Sequence, residues 1–98
     1  MQKTVPRIAV IGAGDWGRNL VRNFYDLGGL AALCETDVDR MGAYKDQFPD
    51  LRFHTTYPQV LRDKSVDGVA IATPTETHGA LVRQALEAGK DVFVEKPM

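Results

Sequence analysis

The chain has 98 residues, enough for one domain with a single core. Hydrophobic residues make up 44% and charged residues 26%, a globular balance that excludes disorder, collagen-like repeats and a coiled coil. Twelve Lys plus Arg against 13 Asp plus Glu leave a net charge of −1, which excludes the broad basic footprint of a nucleic-acid or anionic-membrane binder.

Residues Met1 to Arg7 run straight into an apolar segment, without the long apolar core of a signal peptide. No apolar run approaches the roughly 18 residues of a membrane span, so a soluble cytoplasmic protein is expected. Ile8-Ala9-Val10-Ile11 does not alternate and reads as a strand covered on both faces. Gly12-Ala13-Gly14-Asp15-Trp16-Gly17 breaks it. From Asp15 to Leu27, Trp16, Leu20, Phe24 and Leu27 recur at helical spacing, and Gly28-Gly29 supplies a left-handed stop. A second strand, Leu30 to Cys34, ends at Glu35. Thr36 or Asp37 caps a helix through Met41, Tyr44 and Phe48 that stops at Pro49. Leu51 to His54 is a weaker third strand. Thr56-Tyr57-Pro58-Gln59 has the form of a capping box and opens a short helix through Val60 and Leu61. Asp67-Gly68 precedes a fourth strand, Val69 to Ala72. Thr73-Pro74-Thr75-Glu76 is a second capping box with Pro74 at the first helical position, and its helix carries Leu81, Val82, Ala85 and Leu86 as far as Gly89. Val92-Phe93-Val94 is the fifth strand, followed by Glu95-Lys96-Pro97-Met98. Five strands and four helices in alternation predict an α/β fold: an open, doubly wound parallel sheet of the Rossmann type in three α/β/α layers.

Gly12-x-Gly14-x-x-Gly17 follows a buried strand, opens a helix and has an acid downstream, the context in which three glycines at this spacing bind a dinucleotide. Gly12 permits the tight turn, Gly14 lets backbone approach a pyrophosphate, and Gly17 lets helix and strand pack closely. The helix amides then face the anion. Within the turn, Asp15 reads as a helix cap that complements the dipole, ahead of a phosphate contact that a carboxylate beside an anion disfavours, and Trp16 reads as a packing residue that can wall the cofactor cleft. Glu35, 23 residues after Gly12, is the candidate acceptor for the adenosine ribose hydroxyls, with Asp37 as its competitor. A carboxylate there repels a 2′-phosphate, so NAD is expected over NADP, with Arg40 one turn along able to offset the repulsion.

Thr73-Pro74 and Glu95-Lys96-Pro97 lie beyond the carboxyl ends of strands four and five, where open α/β sheets bind ligands. For Lys96, position alone leaves two readings level: a group facing the ligand, or a surface charge paired with Glu95. His78 falls in the first turn of a helix, where a cation is disfavoured, and reads as a packing or polar-contact residue. His54 takes a structural reading. Cys34 reads as a small buried apolar residue; alone it closes no disulfide and builds no zinc cluster, and two histidines leave little material for a metal site.

Gly-Ala-Gly-Asp-Trp-Gly (12–17), Ala-Thr-Pro-Thr-Glu-Thr-His (72–78) and Ala-Gly-Lys-Asp-Val-Phe-Val-Glu-Lys-Pro (88–97) together resemble the amino-terminal half of the glucose–fructose oxidoreductase, inositol dehydrogenase and rhizopine-catabolism (Gfo/Idh/MocA) family, over essentially the whole chain. The resemblance implies an NAD(P)-dependent oxidoreductase acting on a sugar, sugar nucleotide or cyclitol, oligomeric at full length. It also implies a carboxyl-terminal α/β domain, beyond these 98 residues, that forms the substrate site and most oligomer contacts. The family's Glu-Lys-Pro maps onto Glu95, Lys96 and Pro97, which makes Lys96 the candidate catalytic residue, near the nicotinamide and oriented to hold or polarise the substrate hydroxyl. Thr73, Pro74 and His78 would line the cofactor cleft. Over one helix, Trp16 to Phe24 is similar to the subgroup that oxidises C3 of UDP-N-acetylglucosamine-type uronic acids. An S-adenosylmethionine-dependent methyltransferase also uses a glycine turn and an acid ending strand two, but Gly17 and Lys96-Pro97 argue against it. A free-standing NAD-binding sensor module is the remaining alternative.

Overall fold

The computed structural model describes residues 6–12, 15–72 and 78–94, the side chains of Asp15 and Trp16 excepted. Along the described chain run β1 (Ile8–Ile11), α1 (Asp15–Asp26), β2 (Leu30–Cys34), α2 (Val38–Gln47), β3 (Arg52–His54), α3 (Tyr57–Arg62), β4 (Gly68–Ile71), α4 (His78–Glu87) and β5 (Asp91–Val94). The strands pair in parallel in the order β3-β2-β1-β4-β5. This is the doubly wound arrangement expected from the alternation of elements.

All four residues of β1 and of β4 are buried, as their unbroken apolar runs require. Successive side chains point to opposite faces. Ile8, Val10, Leu33 and Ala70 therefore pack with Val21 of α1 and Tyr44 of α2, while Ala9, Ile11, Ala32, Val69 and Ile71 pack with Val60 of α3 and Ala85 of α4. Right-handed crossovers produce this division, two helices on each face. Burying a side chain the size of Ile8, Leu33 or Ile71 stabilises by about 1.5–3 kcal/mol, and these sit almost wholly out of solvent.

Observed boundaries differ from the sequence reading by about a residue, for local reasons. α1 stops at Asp26 because Gly28, at φ 78°, reverses the chain: Gly28 N–H donates to Tyr25 O at 3.0 Å and Gly29 N–H to Phe24 O at 2.8 Å. β4 starts at Gly68, opposite Asp91, where an added Cβ would stand 2.9 Å from Asp91 O. The cap of α2 is Asp37 and not Thr36: its Oδ1 accepts the Arg40 N–H at 3.0 Å. Gln59 folds back as the Thr56–Gln59 capping box predicts, its Oε1 accepting Thr55 N–H at 2.9 Å and Thr56 N–H at 3.3 Å. The Thr73–Glu76 cap expected ahead of α4 lies outside the described residues. At the far edge, Phe93 of β5 is half exposed and tilts against Phe24 at 6.0 Å between ring centres. Among the described residues no helix is long and apolar enough to cross a membrane.

Candidate functional site

Three backbone hydrogen bonds carry the sheet one residue past its strands and assemble the carboxyl-terminal edge. Gly12 N–H donates to Cys34 O at 2.9 Å, Ala72 N–H to Ile11 O at 2.9 Å, and Glu35 N–H to His54 O at 3.1 Å. The glycine turn, the acid and the end of β4 thus stand side by side, although 23 and 37 residues separate Glu35 from Gly12 and from Ala72.

Gly12 has a φ of 87°, which a residue with a side chain rarely adopts. Gly17 is constrained by space instead. A Cβ on it would overlap the Gly12 carbonyl oxygen and stand 2.8 Å from its carbon. α1 therefore sits directly on the turn, and the positive end of its dipole meets the edge where Glu35 lies.

Glu35 is the buried charged residue of this edge, 6% exposed. Its Oε2 accepts the Asp37 N–H at 2.9 Å, and its Oε1 lies 3.6 Å from Arg40 Nη1. Asp37 thus gives its carboxylate to the cap of α2, while Glu35 holds the Asp37 N–H and stands beside the Arg40 guanidinium at the end of β2. Burial, reinforced by the Glu35 charge, pushes the Cys34 thiol up to about 11, so this cysteine is an inert core residue as expected. Tyr57 donates its hydroxyl to Leu81 O at 2.6 Å, and burial pushes it up to about 12, with a smaller contribution from Cys34.

Of the sequence-predicted site residues, the structure brings Gly12, Gly17, Glu35 and Arg40 together at one corner. His78 is the first described residue of α4 and is half-buried. Gly14, Thr73, Pro74, Glu95, Lys96 and Pro97 lie outside the described residues, as do the side chains of Asp15 and Trp16. Two features escaped the sequence reading. Val38, the first residue of α2, is 81% exposed beside Asp37, although its three-residue spacing from Met41 resembles that of a core position. Arg18 and Arg22 of α1 line, with Arg40, Tyr44 and Gln47 of α2, a groove of about 430 Å³ between the two helices. That pairing of α1 with α2 is tertiary and leaves no mark in either segment.

A tight glycine turn with its helix seated on it, and a buried carboxylate at the next strand end, fit the pyrophosphate and adenosine ribose of a dinucleotide. The sequence profile of the family described as "Oxidoreductase family, NAD-binding Rossmann fold" matches residues 6–98. Inositol 2-dehydrogenase 1 of Saccharopolyspora erythraea is 36% identical over 98 aligned positions, which cover 94% of this chain and 28% of that protein. A glycosyl hydrolase family 109 protein of a Shewanella strain is 33% identical, covering 94% of this chain and 23% of its own length. The crystal structure of myo-inositol 2-dehydrogenase from Lactobacillus plantarum superposes with a TM-score of 0.85 at 29% identity, over 96% of this chain and 29% of that one. The chain thus spans under a third of the length of these relatives.

Proposed function

This chain belongs to the Gfo/Idh/MocA oxidoreductase family with the NAD-binding Rossmann fold, and on that premise we propose that it is the cofactor-binding part of a dehydrogenase for a cyclitol or sugar. The observation that carries the reading is the corner itself: the Gly12–Cys34 hydrogen bond and the missing Cβ of Gly17 set the glycine turn and Glu35 side by side. When bound, the nicotinamide supplies the hydride chemistry, and the protein supplies orientation and electrostatics.

The roles follow from position. The first turn of α1 faces the pyrophosphate, Glu35 accepts the ribose hydroxyls, and the exposed Val38 offers the adenine an apolar wall. Arg40 already lies 3.6 Å from Glu35 and offsets part of its charge, which makes the preference for NAD over NADP moderate. Thr73, Pro74, His78, Glu95 and Pro97 line the cleft. Lys96 is the catalytic residue, holding or polarising the substrate hydroxyl. A second, carboxyl-terminal domain completes the substrate pocket and the contacts of a homo-oligomer. A cyclitol or simple sugar is favoured over a sugar nucleotide, because inositol dehydrogenases stand among the relatives above 30% identity. The glycosyl hydrolase relative shares the same domain at 33% identity, so the step performed on the substrate is set by the rest of the protein.

Calorimetry with NADH and NADPH tests the cofactor reading, with Gly14→Val as the control that places a branched side chain against the pyrophosphate. Tighter binding of NADH, lost in the variant while the far-ultraviolet circular dichroism is unchanged, is the expected result. Normal binding by Gly14→Val would make the turn purely structural.

A further inference from the structure

β3 is three residues long and, among the described residues, pairs with β2 alone and forms one edge of the sheet. Arg52 and His54 lie two apart, hence on one face, and both reach the same carboxylate. His54 Nε2 donates to Asp63 Oδ2 at 2.9 Å, and Arg52 Nη1 lies 3.7 Å from that oxygen. Asp63, the C-cap of α3, has a side chain only 5% exposed. Its Oδ1 accepts Ser65 N–H at 2.9 Å and Ser65 Oγ–H at 2.6 Å. Desolvation would raise this carboxyl, but the Ser65 and His54 hydrogen bonds and the Arg52 charge outweigh it and hold the group well below the usual carboxylate range. Arg62 and Lys64 flank the same cleft, and Lys90 Nζ donates to Asp63 O at 2.9 Å.

The two residues after His54 are fastened as well, since Thr55 and Thr56 N–H both donate to Gln59. Three consecutive residues at the end of a short edge strand are therefore tied to α3 and the turn after it. What they hold in place is the His54 carbonyl, which accepts the Glu35 N–H as the last rung between β3 and the β2 end. The chain of contacts runs from Ser65 through Asp63 and His54 to the backbone of Glu35, on the side away from the glycine turn.

We propose that His54 and Asp63 are positioning residues for Glu35, fixing where its carboxylate stands and so how strongly the site separates a 2′-hydroxyl from a 2′-phosphate. This rests on Glu35 being the ribose acceptor. A contact that merely stabilised β3 would weaken both cofactors alike, whereas a positioning contact acts on the ratio of their affinities.

The test is calorimetric titration of the chain with NADH and with NADPH. His54→Phe removes the donor and keeps a ring; it should raise the NADH Kd about 5- to 10-fold and change the NADPH Kd less than about 2-fold, the scale of one hydrogen bond to a charged group. His54→Gln, which keeps an amide donor, should restore much of the lost discrimination. Asp63→Asn, nearly isosteric, weakens the same contact and gives the same reading should His54→Phe fail to fold. In a Glu35→Gln background, His54→Phe should leave the ratio unchanged, because the two residues act through one chain of contacts. Equal weakening of both cofactors by His54→Phe, with Glu35→Gln alone collapsing the ratio, overturns the proposal and leaves the cofactor reading intact. A ratio insensitive to Glu35→Gln removes Glu35 from the ribose and the proposal with it. A wild-type chain that binds neither cofactor overturns both readings.

Discussion

Gly17 carries a tight steric constraint, because no rotation relieves a Cβ that overlaps a backbone carbonyl. Gly17→Ala must push α1 off the turn, at an overpacking cost of about 1–3 kcal/mol, and the same displacement moves the first-turn amides proposed to face the pyrophosphate. Urea unfolding and NADH calorimetry should register both losses together. A variant of wild-type stability would show that the helix end moves freely. The titrating residues set the working pH range. Asp63 is held low, so its contribution is present above the usual 3.8 and is lost as pH falls through its folded value. Cys34 is raised from 9.0 to about 11 and Tyr57 from 10.0 to about 12, so their contributions are complete below those ordinary values and are lost as pH rises through the folded ones. Thermal melts followed across pH should show a plateau bounded by these two limbs. Cys34 should also react with a thiol reagent at neutral pH only as fast as the chain unfolds. A melting temperature that stays level between pH 9 and pH 11 would contradict the alkaline limb.

Helix ends and the edge strand show where sequence patterns are informative. The Asp37 cap is a local motif, and Asp37→Ala should cost about 0.5–2 kcal/mol in urea unfolding. Because the Asp37 N–H still donates to Glu35, the variant should keep its preference for NADH over NADPH. A collapse of that preference on losing the cap would instead tie the two acids together. β1, β2 and β4 were legible because their apolar runs are short and unbroken and flanked by glycine or an acid. β3 was weak in sequence because one face carries the exposed Arg52 and the half-buried His54, both anchored at Asp63 nine to eleven residues further on. Only Phe53, packed with the α1–α2 core and under Lys45 at 5.7 Å, advertises a buried face. Sequence spacing reveals a strand anchored to a hydrophobic layer and hides one anchored by a distant carboxylate.

The same distinction governs the whole molecule. Gly12, Gly17 and Glu35 were legible because the dinucleotide turn is one continuous strand–turn–helix–strand segment. The Arg18–Arg22–Arg40 groove and the support of Glu35 by His54 were not, since each joins elements that meet only on folding. Catalysis is the most collective property of all. Hydride transfer needs the reacting carbon held near van der Waals contact with the nicotinamide, and such positioning supplies roughly 7–11 kcal/mol of a barrier. These 98 residues provide the cofactor side of that arrangement, and relatives at this identity are more than three times as long. As a free polypeptide the chain should therefore bind NAD and yet produce no NADH from myo-inositol or any sugar. In a longer protein carrying this domain, Lys96→Ala should lower turnover at least about 100-fold, the lower range for a group acting on a proton in the transition state, with NAD affinity nearly unchanged. The two parts fail separately. NADH formation by the 98-residue chain would show a complete site within it, and wild-type turnover by the Lys96 variant would return that lysine to the status of a surface charge.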